Sequence, residues 1–162
     1  MKRTFLLLAL LLTACDIQMP SAGAGSDVRV GDKPAINFTG NDGRPITNDS
    51  LQGKVIVLDF WASWCGPCIQ QVPHMLDLHK KHGDKAVFLG VNIDQSKPAM
   101  DRAVRQHGLP WTQVFDGDSR ISHAWGVDSI PRIFILGRVG TVAWTGHPAE
   151  MDAALAKAVG AG

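Results

Sequence analysis

Cys65 and Cys68 are separated only by Gly66 and Pro67, within the segment Trp64-Cys65-Gly66-Pro67-Cys68. On a helix this spacing sets two thiols one turn apart, the geometry of a dithiol that opens to two thiols and closes to a disulfide. Upstream, Lys54-Val55-Ile56-Val57-Leu58-Asp59-Phe60 reads as a buried strand, and Pro67, excluded from a helix interior, fits the first turn of one. Cys65 therefore falls at a helix N-terminus. There, unpaired backbone N–H groups and the positive end of the helix dipole stabilise a thiolate, which makes Cys65 the predicted nucleophile. Cys68, one turn further in, more buried and less easily ionised, is placed to attack a mixed disulfide formed at Cys65.

Two plainer readings of a Cys-x-x-Cys pair compete with redox chemistry. Half of a zinc site needs two further ligands, usually cysteines or histidines, and the chain has only one other cysteine, Cys15. A static structural disulfide gains little from closing so short a loop, and such pairs are usually redox-labile.

The elements that must position the dithiol follow from hydrophobic periodicity and turn residues. A short hairpin is predicted over 36–47, a strand over 55–60 and a helix over 65–82. A strand over 86–92 and a helix over 98–107 come next, then a short strand over 113–115 and a short helix over 119–125. Strands over 132–136 and 141–145 form an antiparallel pair joined at 137–140, and a helix over 148–159 closes the chain. Alternating strands and helices imply an α/β fold whose central sheet is covered on both faces, with reactive groups at the end of the first core strand.

Three stretches in order resemble the thioredoxin superfamily: Asp59-Phe60-Trp61-Ala62-Ser63-Trp64-Cys65-Gly66-Pro67-Cys68 with Pro73 beyond it, Asn92-Ile93-Asp94-Gln95, and Gly126-Val127-Asp128-Ser129-Ile130-Pro131 followed by Arg132-Ile133-Phe134-Ile135-Leu136. The extension Pro34-Ala35-Ile36-Asn37-Phe38-Thr39, the Asn41-Asp42-Gly43 turn and Leu51-Gln52-Gly53-Lys54 are similar to the TlpA/ResA branch of secreted, membrane-tethered members. The resemblance implies a thioredoxin fold, a central mixed β-sheet flanked by helices, with an N-terminal β-hairpin extension. It also implies a cis Ile130–Pro131 bond that presents the backbone of Ile130 beside Cys65 to an extended substrate strand. By residue type alone, a trans proline entering a strand is the commoner arrangement.

Asp59 departs from the TlpA/ResA pattern. Those proteins commonly carry Asn at this strand position and Glu three residues after the second cysteine, where this chain has Gln71. The acid stands instead at thioredoxin's own location. On an apolar strand under the dithiol, desolvation raises a carboxyl's pKa and suits Asp59 to exchange protons with Cys68, directly or through water. A strand-terminal Asp bonded to loop N–H groups is the structural alternative. Thioredoxin places a Lys near its Asp; the aligned position here is Gly90.

Trp64, with Gly66, Pro67 and Ile130, is expected to form the surface on which a substrate docks, although tryptophan fills cores as readily as interfaces. His79 and His82 could share a helix face toward a metal, but with no further ligands they read as part of a solvated surface. No metal or organic cofactor is expected; the redox group is the Cys65–Cys68 pair itself.

At the N-terminus, Lys2 and Arg3 precede an apolar run over 5–12, well short of the roughly 20 residues that span a bilayer. Leu12-Thr13-Ala14-Cys15 resembles a bacterial lipobox. The expected organisation is a lipoprotein signal peptide over 1–14, a lipidated Cys15 with a flexible tether over 15–31, and a thioredoxin-like domain over 32–162. Asp16 after the lipidated residue resembles the signal for retention in the inner membrane, which implies the periplasmic face of a bacterial cell envelope. Without Lys2 and Arg3 the 16 basic side chains fall to 14 against 15 acidic, a balance that argues against nucleic-acid binding.

These features predict a monomeric thiol–disulfide oxidoreductase acting on disulfide-containing protein substrates. The Gly-Pro dipeptide resembles that of thioredoxin, a reductant, and lacks the His that DsbA-type oxidants place between their cysteines. In an oxidising compartment a reductant must be recharged, and the resemblance implies a membrane electron donor of the DsbD or CcdA type. Apocytochrome c in cytochrome c maturation, copper-site assembly proteins or wrongly oxidised proteins are the implied clients. A peroxiredoxin-like peroxidase would need a Thr-x-x-Cys context where Ala62-Ser63-Trp64-Cys65 stands. Copper delivery of the Sco type would need a Cys-x-x-x-Cys pair and a distant His, and a non-catalytic binding module would tolerate loss of Cys65.

Overall fold

The computed structural model describes residues 27–161. The expected signal segment, Cys15 and the tether as far as residue 26 lie outside them. Strand β3 (Val55–Trp61) is the centre of a five-stranded mixed sheet of order β5-β4-β3-β6-β7. Strands β4 (Ala86–Asn92) and β5 (Thr112–Phe115) run parallel to β3 on one side. On the other side β6 (Arg132–Leu136) and β7 (Val142–Gly146) are antiparallel. Separately, β1 (Asn37–Thr39) and β2 (Pro45–Thr47) pair as the antiparallel hairpin.

Alternation along β3 sends its side chains into two cores. Val55, Val57 and Trp61 pack with Cys65, Cys68, Met75, Met100 and Leu155 under helices α1 (Gly66–His82), α2 (Lys97–His107) and α4 (Asp152–Gly160). Ile56, Leu58 and Phe60 pack on the other face with Phe38, Ile46 and Trp125, beneath the hairpin and the short helix α3 (Arg120–Ala124). There the ring of Trp125 meets those of Phe134, Phe60 and Phe38 at centroid separations of 5.1, 6.0 and 6.3 Å, within the range of favourable aromatic packing.

Both outer strands are partly covered, which blunts edge-to-edge association. Asn41 at the hairpin turn donates to Gln113 O at 2.7 Å. On the far edge Gly31 donates to Val142 O at 2.9 Å, and Val142 donates to Asp32 O at 2.8 Å. The last residues of the expected tether are therefore held against β7, and Val28 rests on the second core.

The predicted closing helix is two pieces. A 3-10 turn over Pro148–Glu150 precedes α4, and Met151, fully buried, sits between them. The His147 side chain accepts Ala149 N–H at 3.2 Å, and His74 of α1 meets the Asp152 carboxylate at 2.9 Å, so the break is where the closing segment docks on α1. Among the described residues no helix is long and apolar enough to cross a membrane.

Candidate active site

β3 ends in Trp61, and Ala62 to Trp64 carry the chain over the sheet into α1. Cys65 is the N-cap: its Sγ accepts the backbone N–H of Cys68 at 3.2 Å, satisfying one of the donors that a helix start leaves unpaired. The two cysteines are joined as a disulfide with an S–S distance of 2.07 Å and a Cα–Cα distance of 5.2 Å. Cys65 is 5% and Cys68 6% exposed, so in the oxidised state the expected contrast in burial is absent. What separates the two thiols is position on the helix: the N-terminal N–H groups point at Cys65, and Cys68 lies inside the first turn.

The rim around the dithiol is open. Trp64 is 67% exposed, and Gly66 and Pro67 are exposed beside it. The Ile130–Pro131 peptide is cis. Ile130 is half-buried and packs against both cores, which fixes the loop that leads into β6.

Beneath the dithiol, Asp59 shares its face of β3 with Val57 and Trp61, the face whose core contains both cysteines. It pairs in register with Gly90 on β4 and Ile133 on β6, neither of which offers a polar side chain. Asp59 is itself half-buried, the one residue of β3 that is not buried, and desolvation by its apolar surroundings pushes its carboxyl from the ordinary 3.8 up to about 7. Gln71, at the position of the relatives' acid, is half-buried on α1.

Two further buried groups at the site are ones to which the sequence alone assigns no role. Asp94, 2% exposed, accepts Ser63 N–H at 3.1 and 3.2 Å, Ser63 Oγ at 2.9 Å and the Asn92 amide at 3.0 Å, tying the loop before Cys65 to the end of β4. Its signal was present in Asn92-Ile93-Asp94, polar residues closing an apolar strand. Gln113 lies fully buried on β5 and accepts the Trp61 indole N–H at 3.0 Å. Its signal was a long amide inside an apolar strand. Among the described residues no three His, Cys, Asp or Glu side chains gather where they could hold a metal ion, and His79 and His82 are not the solvated surface expected of them: His79 packs edge-on to Phe88 and tilted against Trp111, and His82 is buried.

A two-cysteine centre of this form can exchange two electrons with another disulfide through a mixed disulfide. Comparison with known proteins points the same way. The Redoxin family profile matches residues 29–159. The thiol-disulfide oxidoreductase ResA of Bacillus anthracis is 33% identical over 113 residues, covering 68% of this chain; the chain spans 65% of that relative's length. The crystal structure of a thiol:disulfide interchange protein DsbE assigned in Chlorobium tepidum superposes with a TM-score of 0.73 at 29% identity, over 82% of this chain and 98% of that one. A secreted Mycobacterium tuberculosis disulfide oxidoreductase homologous to DsbE of E. coli superposes with a TM-score of 0.66 at 25% identity, over 75% and 94% of the two chains.

Proposed function

The chain belongs to the Redoxin family, and from that premise we propose that it is a thiol–disulfide oxidoreductase that reduces disulfides of extracytoplasmic proteins. The observation that carries this reading is the Cys65–Cys68 disulfide at a helix N-cap, with an exposed rim above it and a carboxyl of raised pKa on the strand below.

In the reduced protein the Cys65 thiolate attacks one sulfur of a substrate disulfide. The substrate S–S bond breaks, a mixed disulfide forms, and the released substrate thiolate takes up a proton. Cys68 then passes its proton to the Asp59 carboxylate and attacks the Cys65 sulfur. The mixed disulfide breaks, the second substrate sulfur departs as a thiolate that takes up a proton, and the enzyme is left oxidised by two electrons. A carboxyl with a pKa of about 7 is divided between its two forms at neutral pH, so Asp59 can both take and return that proton. Trp64, Gly66 and Pro67 supply the docking surface, and the Ile130 backbone before cis-Pro131 pairs with the extended substrate.

Net reduction needs a two-electron donor that restores the dithiol, and a membrane donor of the DsbD or CcdA type fits a protein held at the membrane. The lipobox-like Leu12-Thr13-Ala14-Cys15 supports anchoring through a lipidated Cys15, facing the periplasm from the inner membrane. The secreted mycobacterial relative supports work outside the cytoplasm. Apocytochrome c, copper-site assembly proteins and wrongly oxidised proteins are the client classes that the TlpA/ResA resemblance implies. The test is replacement of Cys68 by Ala in cells followed by identification of proteins caught on Cys65. Capture of exported proteins bearing cysteine pairs is expected; capture of none, with the variant folded and exported, overturns the reading.

A further inference from the structure

On the sheet face that carries the dithiol, one row of residues crosses four strands: Ile133 opposite Asp59, Asp59 opposite Gly90, and Gly90 opposite Gln113. Gly90 is a gap in that row. A methyl group built on it would overlap Gln113 Oε1 and lie 2.8 Å from its Cδ, so the Gln113 side chain occupies the space that any side chain at 90 would take. Gln113 is 0% exposed. Its Oε1 accepts the Trp61 indole N–H at 3.0 Å, and its Nε2 donates to Trp111 O at 3.2 Å, so both ends of the amide are engaged. Neighbouring strands lie about 4.8 Å apart, and facing Cβ positions about 5 Å, so the amide stands roughly one strand spacing from Asp59.

We propose that Gln113 is a positioning residue for the dithiol: filling the gap at Gly90, its uncharged amide fixes the Trp61 indole beside the cysteines and closes the β4 side of Asp59 to water and to any counter-ion. The inference rests on the oxidoreductase reading, with Asp59 as the acceptor of the Cys68 proton. A cation in this place would favour the charged carboxylate and weaken it as a base, whereas an apolar side chain would leave the buried indole N–H without a partner. An amide avoids both. The groups facing Asp59 bear this out: α1 contributes the two cysteines, β6 contributes Ile133, β4 contributes no side chain, and burial is the cause of the raised carboxyl pKa.

The experiment is a pH titration by NMR of the full chain, oxidised and in detergent, following the Asp59 carboxyl, the Gln113 side-chain amide and the Trp61 indole N–H. All three should share one midpoint, near 7. Gln113→Glu should raise the Asp59 midpoint by about one pH unit or more, and Gln113→Lys should lower it by a similar amount, because the sign of the added charge decides the direction. Gln113→Met should leave the midpoint within a few tenths while displacing the Trp61 signal. The pH profile of mixed-disulfide resolution should move with the midpoint in each variant. Gln113 and Trp61 signals that stay flat through the wild-type titration overturn the proposal, as do Glu and Lys variants that shift Asp59 in the same direction. Should a charged variant fail to fold, the wild-type titration decides alone. Because it is read without turnover, flat signals in an active protein overturn this inference only, and an inactive protein with coupled titrations overturns the functional reading.

Discussion

Asp94 holds Ser63 by three hydrogen bonds of 2.9–3.2 Å, two to the backbone N–H and one to the hydroxyl, two residues before Cys65. The loop from β3 to α1 has few backbone partners of its own, so this buried carboxylate sets where Trp64 and Cys65 emerge. Asp94→Ala would orphan the Ser63 N–H and the Asn92 amide, and it is expected to cost about 2–4 kcal/mol of stability. Urea denaturation checks the cost.

Asp59 carries a stability consequence of opposite sign. Its folded pKa of about 7 lies above the unfolded value near 3.9, so the folded state binds the extra proton between those values and loses stability as pH rises through that window. Asp59→Asn removes the penalty. The variant should match wild type below about pH 4 and exceed it by about 2–4 kcal/mol above pH 7, while resolution of the mixed disulfide slows more than its formation. Denaturation and single-turnover reduction across pH measure the two effects. An unchanged rate profile would leave Asp59 a structural residue.

Trp64 is exposed and packs into neither core. Trp64→Ala should therefore change stability by no more than about 0.5 kcal/mol. It should slow reduction of a protein disulfide several-fold or more while leaving reduction of a small-molecule disulfide nearly intact. Parallel assays on the two substrates separate docking from chemistry.

Cys15→Ala should yield a soluble or uncleaved form, with the Cys65–Cys68 chemistry retained in vitro. Fractionation with lipid labelling reads this, and a mature protein that stays membrane-bound without acylation argues against the anchor.

Much of the fold was legible because its strands are bounded by turn residues and differ in period from its helices. β4 and β6 fall where the apolar runs place them, since both are closed by Asn, Asp, Gly or Pro. The sequence predicts a continuous closing helix because Met151 continues the apolar pattern, and the break shows only in the docking of that segment against His74. At the site, cysteine spacing and Pro67 disclosed the dithiol. The local signals of Asp94 and Gln113, polar residues at the end of or inside apolar strands, do not disclose their roles, because those depend on partners from distant parts of the chain, Ser63 and Trp61. Burial of Cys65 is likewise not legible: a helix N-cap suggests exposure, yet Cys65 is buried in the core that also holds Trp61 and Ala62.

The division of labour between Cys65 and Cys68 is the centre of the account, and one experiment on the purified reduced protein tests it. Iodoacetamide near neutral pH, followed by mass mapping, is combined with reaction of the single-cysteine variants against a disulfide-bearing protein. Cys65 should label first, and Cys68→Ala should accumulate a mixed disulfide through Cys65 while Cys65→Ala accumulates none. Equal or reversed labelling, or trapping through Cys68, would contradict it.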